Sequence, residues 1–123
     1  MKRDLDLLRE MLIRVEDFTP SNVGEVQKLN FEEFSEGAPA AYHHALLLVE
    51  ARLLRQYGRY QNGSGCIYVD GMTMQGHDFL DAIRDHKIWD ATKQRVWAVG
   101  GWTLEIVLDV ARSEIKRLLT DML

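Results

Sequence analysis

Apolar residues return at three- and four-residue spacing through most of this chain, the pattern of helices that bury one face. Residues 4–16 set Leu5, Leu8, Leu12 and Val15 on one side, with Leu7 and Met11 beside them. Asp4 and Asp6 stand near the positive end of that helix, and Glu10 precedes Arg14 by four residues, the favourable order for a surface pair. Thr19-Pro20-Ser21-Asn22 is loop chemistry and stops it. Residues 24–34 hold no clean period, and a short edge strand is expected there. Pro39 suits a first helical turn, where no N–H bond is lost. The pattern then predicts a helix over residues 39–57, with Tyr42, Leu46, Val49 and Leu53 as its core stripe, Ala45 and Leu48 widening it, and Gly58 as its end.

Next comes a change of period. Arg59-Tyr60-Gln61 and Cys66-Ile67-Tyr68-Val69 flank Asn62-Gly63-Ser64-Gly65, which reads as a hairpin around a glycine-rich turn. A rival register turns at Asp70-Gly71 and pairs residues 67–69 with residues 72–74. The first is preferred, because residues 72–74 lead into a helix over 74–85 that Thr73 is placed to cap through its hydroxyl. Gly76, in the first turn, permits close backbone contact with a neighbouring strand, and Phe79, Leu80 and Ile83 form the apolar face. Residues 86–99 predict a further helix with Trp89, Lys93, Val96 and Trp97 on one side, broken by Gly100-Gly101. Residues 102–122 carry the cleanest period, Leu104, Val107, Leu108, Ala111, Ile115, Leu118, Leu119 and Met122. A helix of that length is roughly 30 Å long, more than so small a domain covers, so part of the stripe is expected to lack intramolecular cover.

The picture is a mostly helical α+β fold. At 123 residues, 46% hydrophobic and 28% charged, the chain suits one globular domain, and its two prolines argue against a disordered linker. No stretch is free enough of charge to span a bilayer, since Glu50 and Arg52 interrupt the apolar run at residues 45–54, and no signal-like block opens the chain. A cytoplasmic location is the expectation. Cys66 is the only cysteine, which excludes an intramolecular disulfide and a multi-cysteine zinc site, and it reads as a small buried strand residue. The net charge of -4 gives no support of its own to nucleic-acid binding. Its distribution is uneven: residues 30–50 hold no Lys or Arg but include Glu32, Glu33, Glu36 and Glu50, whereas Arg52, Arg55 and Arg59 follow with no acid among them.

Little in the chain dictates a reaction. Adjacent His43 and His44 point about 100° apart on a helix and cannot chelate one ion from one face, and His77 and His86 lack a partner at zinc-ligand spacing. Asp78, Asp81 and Asp85 are explained by helix starts and by neighbouring Arg84 and Lys87 rather than by acid–base work. Trp89 and Trp97 are expected in the core. No nucleophile triad, phosphate loop or dinucleotide fingerprint stands in its proper context, so no enzyme, metal or cofactor is expected.

The order helix, weak strand, helix, hairpin with a glycine-rich tip, capped helix is similar to that of a winged helix-turn-helix domain. Met72-Thr73-Met74-Gln75-Gly76 resembles the Leu-Thr-x-x-Gly step that often follows the wing in such regulators. The opening residues 1–7, the Tyr42-His43 helix to Leu54, the run Gly76-His77-Asp78-Phe79-Leu80-Asp81-Ala82-Ile83-Arg84-Asp85 and Trp89 together look like an uncharacterised bacterial and prophage family, the domain of unknown function 2513 family. That resemblance implies a winged-helix-like core over residues 1–86 with a helical extension over 87–123, and it supplies no activity. Two departures stand out. The acidic stretch before Pro39 has no helical period, and the usual Ala-Gly-Leu step is here Ala51 followed by Arg52.

The leading expectation is a small bacterial or prophage regulator that binds double-stranded DNA weakly or within a complex. His43, His44, Arg52, Arg55, Arg59, Gln61, Asn62 and Ser64 would form the DNA face, unless the arginines are a solvated helix end pairing with Glu32 or Glu33. Trp102, Leu104, Leu108, Ile115 and Leu119 would pair with their mates in a homodimer. The alternative is a non-enzymatic adaptor that binds a protein partner, which the acidic segment and the negative net charge suggest.

Overall fold

The computed structural model describes residues 1–60 and 63–123, and among these the chain forms five α-helices and one three-stranded antiparallel sheet. Two compact units emerge, Met1–His77 and Asp78–Leu123.

In the first unit, α1 (Leu5–Asp17) is capped by Asp4, whose carboxylate accepts the Leu7 N–H at 3.2 Å. Its apolar face, Leu5, Leu8, Met11, Leu12 and Val15 among others, is buried, and the helix packs on α2 and on the third strand. The weak-period segment contains β1 (Gln27–Asn30), an edge strand as expected, followed by a single 3-10 turn, Phe31–Glu33. The helix predicted for residues 39–57 is shorter: α2 is Ala38–Glu50, and Leu54–Tyr57 is instead β2. β3 (Cys66–Met72) lies between β1 and β2, pairing antiparallel with both. The hairpin therefore exists, but its first strand lies upstream of residues 59–61. β3 also continues through Asp70-Gly71, so the rival turn does not form. There the ladder slips from Leu54↔Met72 to Gln56↔Val69, a bulge accommodated by Gly71 at φ 79°.

The end of α2 explains the error. Arg52 takes a left-handed conformation at φ 62°, its N–H bonds the Val49 carbonyl, and the Leu53 N–H bonds the Leu48 carbonyl, each at 3.0 Å. This is the six-to-one, five-to-two pairing that usually closes a helix on glycine. Here an arginine occupies that place, so the stop is invisible to a search for Gly. The core stripe was also misjudged, because α2 is apolar almost all round and its period cannot select a face. Ala41, His44, Ala45 and Leu48 point inward, and Tyr42, Leu46 and Val49 are only half-buried.

The expected corner at Thr73 forms as read. Its Oγ1 accepts the Gly76 N–H at 3.0 Å and donates to the Arg52 carbonyl at 2.7 Å, while its N–H bonds the Leu53 carbonyl at 3.0 Å. One side chain thus holds the start of α3 (Met74–Ile83) to the segment where α2 becomes β2. Gly76 is required: a Cβ there would overlap the Leu53 carbonyl oxygen and Met72 Cγ.

The second unit holds the later part of α3, with Phe79, Leu80 and Ile83 buried, and then α4 (His86–Ala98) packed on α5 (Leu104–Asp121). Asp85 and Thr103 cap these two helices, each accepting a first-turn N–H. Ile88, Trp89, Thr92 and Val96 are buried on α4, and Val107, Ala111 and Glu114 on α5. Arg95 and Arg117 reach the Glu114 carboxylate at 2.9 and 3.4 Å. Trp89 lies in the core as expected, but Trp97 is 60% exposed, with the Lys93 ammonium 5.5 Å from its ring centre. Toward the end of α5, Leu118, Leu119 and Met122 are exposed, the expected shortage of cover.

Candidate nucleic-acid interface

A sheet with one covered face alternates inward and outward side chains. Leu29, Ile67 and Val69 are inward and buried. Lys28, Tyr68 and Tyr57 are directly opposite one another across β1, β3 and β2, and so share the outward face. Tyr57 and Tyr68 remain 60% and 44% exposed, and Lys28 is exposed.

This row borders an open groove of about 410 Å³ lined by Tyr57, Gly58, Arg59, Ser64, Cys66, Ile67 and Tyr68. Gly58 and Arg59, which follow β2, and Ser64, which precedes β3, belong to its lining. The Tyr60 ring centre lies 4.5 Å from that of Tyr42 and 6.3 Å from that of Phe31. The Ser64 hydroxyl donates to the Cys66 carbonyl at 3.0 Å, so it shapes the turn into β3. Cys66 is buried and unoxidised. Lys28, Arg55 and Asp70 are the charged residues of the three strands, and Arg59 is the charge of the loop.

Of the eight residues expected to face DNA, the six described do not gather on one surface. Arg59 and Ser64 meet at the groove. Arg55 is drawn the other way: it lies close over Gly71, with Nε donating to the Asp70 carbonyl at 3.0 Å, and lines a separate cavity of about 270 Å³. Arg52 is exposed at the end of α2, and His43 is half-buried. His44 is 1% exposed: its Nε2 accepts the Asp4 N–H at 2.7 Å and its Nδ1 lies 2.8 Å from the Ala40 carbonyl. These bonds suit a neutral ring protonated at Nδ1, and they make His44 a core residue that ties α1 to α2. Gln61 and Asn62 lie outside the described residues. Among the described residues, Glu33 of the acidic segment pairs with Arg14 at 2.7 Å rather than with these arginines. Of the residues expected at a dimer interface, Trp102, just before α5, and Leu104, Leu108 and Ile115 on it are half-buried, and Leu119 is 56% exposed.

Sequence reasoning passed over Tyr57, Tyr68 and Lys28. The alternation of buried Ile67 and Val69 about Tyr68 was the available signal, but Tyr57 was hidden by the overextended helix.

The architecture is thus that of an α+β protein with an exposed aromatic and basic row on a small antiparallel sheet. The chain belongs to the DUF2513 family, described as "Hypothetical protein (DUF2513)", whose model matches residues 2–102. It is similar to an uncharacterised protein of Haemophilus influenzae, 25% identical over 123 residues that span 100% of this chain and 99% of that one. No solved structure matches the chain.

Proposed function

We propose that this is a small regulatory protein of winged-helix type that binds DNA weakly, or as part of a complex, through its outward sheet face and the loop at residues 58–65. The sheet order β1-β3-β2, with β2 and β3 joined as a ribbon after α2, supports the winged reading. The 3-10 turn Phe31–Glu33 stands where such domains have a short helix, and Arg52 adopts the positive φ that their glycine takes.

The observation that carries the proposal is the outward row Lys28, Tyr68, Tyr57 with Arg59 beside it. α2 is a poor reading helix: residues 38–50 contain no Lys or Arg, and His44 is internal. Bidentate base contacts in the major groove are therefore not its mechanism. Contacts to phosphate from Lys28 and Arg59 give an affinity that falls with salt at a log–log slope of roughly -2. Fluorescence anisotropy of labelled random DNA across salt tests this. Absence of binding at low salt, or binding without a salt slope, removes the proposal.

A second reading, a protein-binding adaptor, is favoured by the half-buried Leu46, Leu47 and Val49 on α2 and by the exposed acids Glu32, Glu33 and Glu36. Loss of DNA binding in every condition, with a partner captured only when these apolar positions are intact, would support it.

A further inference from the structure

We infer that the nucleic acid held on this face is single-stranded, with bases stacked on Tyr57 and Tyr68 and the backbone neutralised by Lys28 and Arg59. The inference rests on the nucleic-acid reading above and specifies the form of the ligand.

Three observations converge. Two large rings are direct cross-strand neighbours on the solvent side of a sheet, where an exposed aromatic pair gains nothing from the core. They offer flat faces, and a flat face is useful to a base only when that base has left its own stack. In a duplex the base faces are covered, so Tyr57 and Tyr68 would meet sugar and phosphate edges alone. An unpaired strand presents every base, and stacking on aromatic side chains is tolerant of sequence because every base has a π-face.

The second observation is the groove. Tyr57, Tyr68, Cys66 and Arg59 line it together. A groove that brings two rings and a cation together suits a planar heterocycle joined to a phosphate. The hydroxyl of Ser64 donates to the Cys66 carbonyl, so it shapes the groove rather than offering its proton to a base.

The third is charge. Lys28 stands across from Tyr68 on β1, and Arg59 follows Tyr57 by two residues and lines the groove with both rings. Asp70 is the carboxylate carried by the strands, and it lies toward the bulge, beside the outstretched Arg55. A backbone laid over the row would therefore meet two rings and two cations. A protein partner recognised by the same tyrosines would not need both cations.

The experiment uses the full chain with a labelled oligothymidylate of about 12 nucleotides, within the usual site sizes of such platforms, and a mixed-sequence duplex of the same length. Anisotropy at low salt should give tighter binding to the single strand. Tyr57→Ala and Tyr68→Ala should each weaken it roughly tenfold, and Tyr57→Phe should retain it. Tyr57→Leu keeps apolar bulk without a π-face and should behave like Tyr57→Ala, with circular dichroism and melting curves verifying the fold. Equal or tighter binding to duplex, or single-strand binding indifferent to both tyrosines, overturns the inference while leaving the broader proposal standing. Failure of both oligonucleotides to bind overturns the two together.

Discussion

Replacing Arg52 by glycine should make this protein more stable, although it deletes a charged side chain and a Cβ. Arg52 holds φ at 62°. For an L-residue that conformation costs roughly 1–2 kcal/mol, because Cβ crowds the backbone. Glycine escapes the crowding but gives up roughly 0.5–1 kcal/mol through the greater freedom of its unfolded chain. The net gain is about 0.5–1 kcal/mol. The surroundings tolerate the change, since Arg52 is exposed and its structural bonds are made by its N–H and carbonyl: the N–H to Val49, the carbonyl to the Thr73 hydroxyl. With an unfolding entropy of about 2.1 cal/mol/K per residue, the midpoint of thermal unfolding should rise by roughly 2–4 °C. In urea, an m-value of about 1.5 kcal/mol/M moves the midpoint up by about 0.3–0.7 M. Arg52→Ala is the necessary control. It removes the guanidinium but keeps the Cβ, so it should change stability by less than about 0.5 kcal/mol. If Arg52→Gly lowers the midpoint, or Arg52→Ala raises it as much, the strained helix end is not the source of the effect and the argument fails.

Thr73→Ala removes both the bond that accepts the Gly76 N–H and the bond that reaches the Arg52 carbonyl, and should cost about 1–2 kcal/mol in urea melts; Thr73→Ser should recover most of it. Gly76→Ala improves helix propensity by about 1 kcal/mol, yet the overlap with the Leu53 carbonyl should make it destabilising by about 2 kcal/mol or more. A neutral result would show that the first turn of α3 yields easily. His44→Leu should destabilise by about 2 kcal/mol, because it leaves the Asp4 N–H without its internal acceptor, and should leave oligonucleotide affinity unchanged; a selective loss of affinity would return His44 to the binding face. Light scattering at tens of micromolar should report a dimer that Leu119→Glu dissociates, given the exposed end of α5. A monomeric wild type at that concentration would dismiss the pairing.

The helices with one clear apolar side and a side-chain cap were legible: α1 behind Asp4, α3 behind Thr73, and α4 and α5. Thr73 and Gly76 were both readable because the chemistry is local, a hydroxyl three residues from the N–H it receives and a missing side chain where backbones touch. What resisted reading was non-local. α2 has hydrophobic residues on nearly every side, so the choice of buried face depends on what α1 and the sheet bring to it. Its end depends on an arginine in a glycine's conformation, which no pattern of spacing reveals. His44 read as an outward-facing side chain because its acceptor role requires the backbone of Asp4, forty residues away. The Tyr57 and Tyr68 row requires knowing the register of β2 against β3, and a misplaced strand start was enough to conceal it.

The outermost strands of the sheet, β1 and β2, are each four residues long, and the ladder beside β2 is displaced by the bulge at Gly71. A neighbouring chain trying to extend the ladder would find only a few free amides on either rim before the backbone turned away. Growth from molecule to molecule, the route to fibrils, is thereby cut short by brevity alone. The flat side can stay wide, bare and aromatic without the protein polymerising through its flanks.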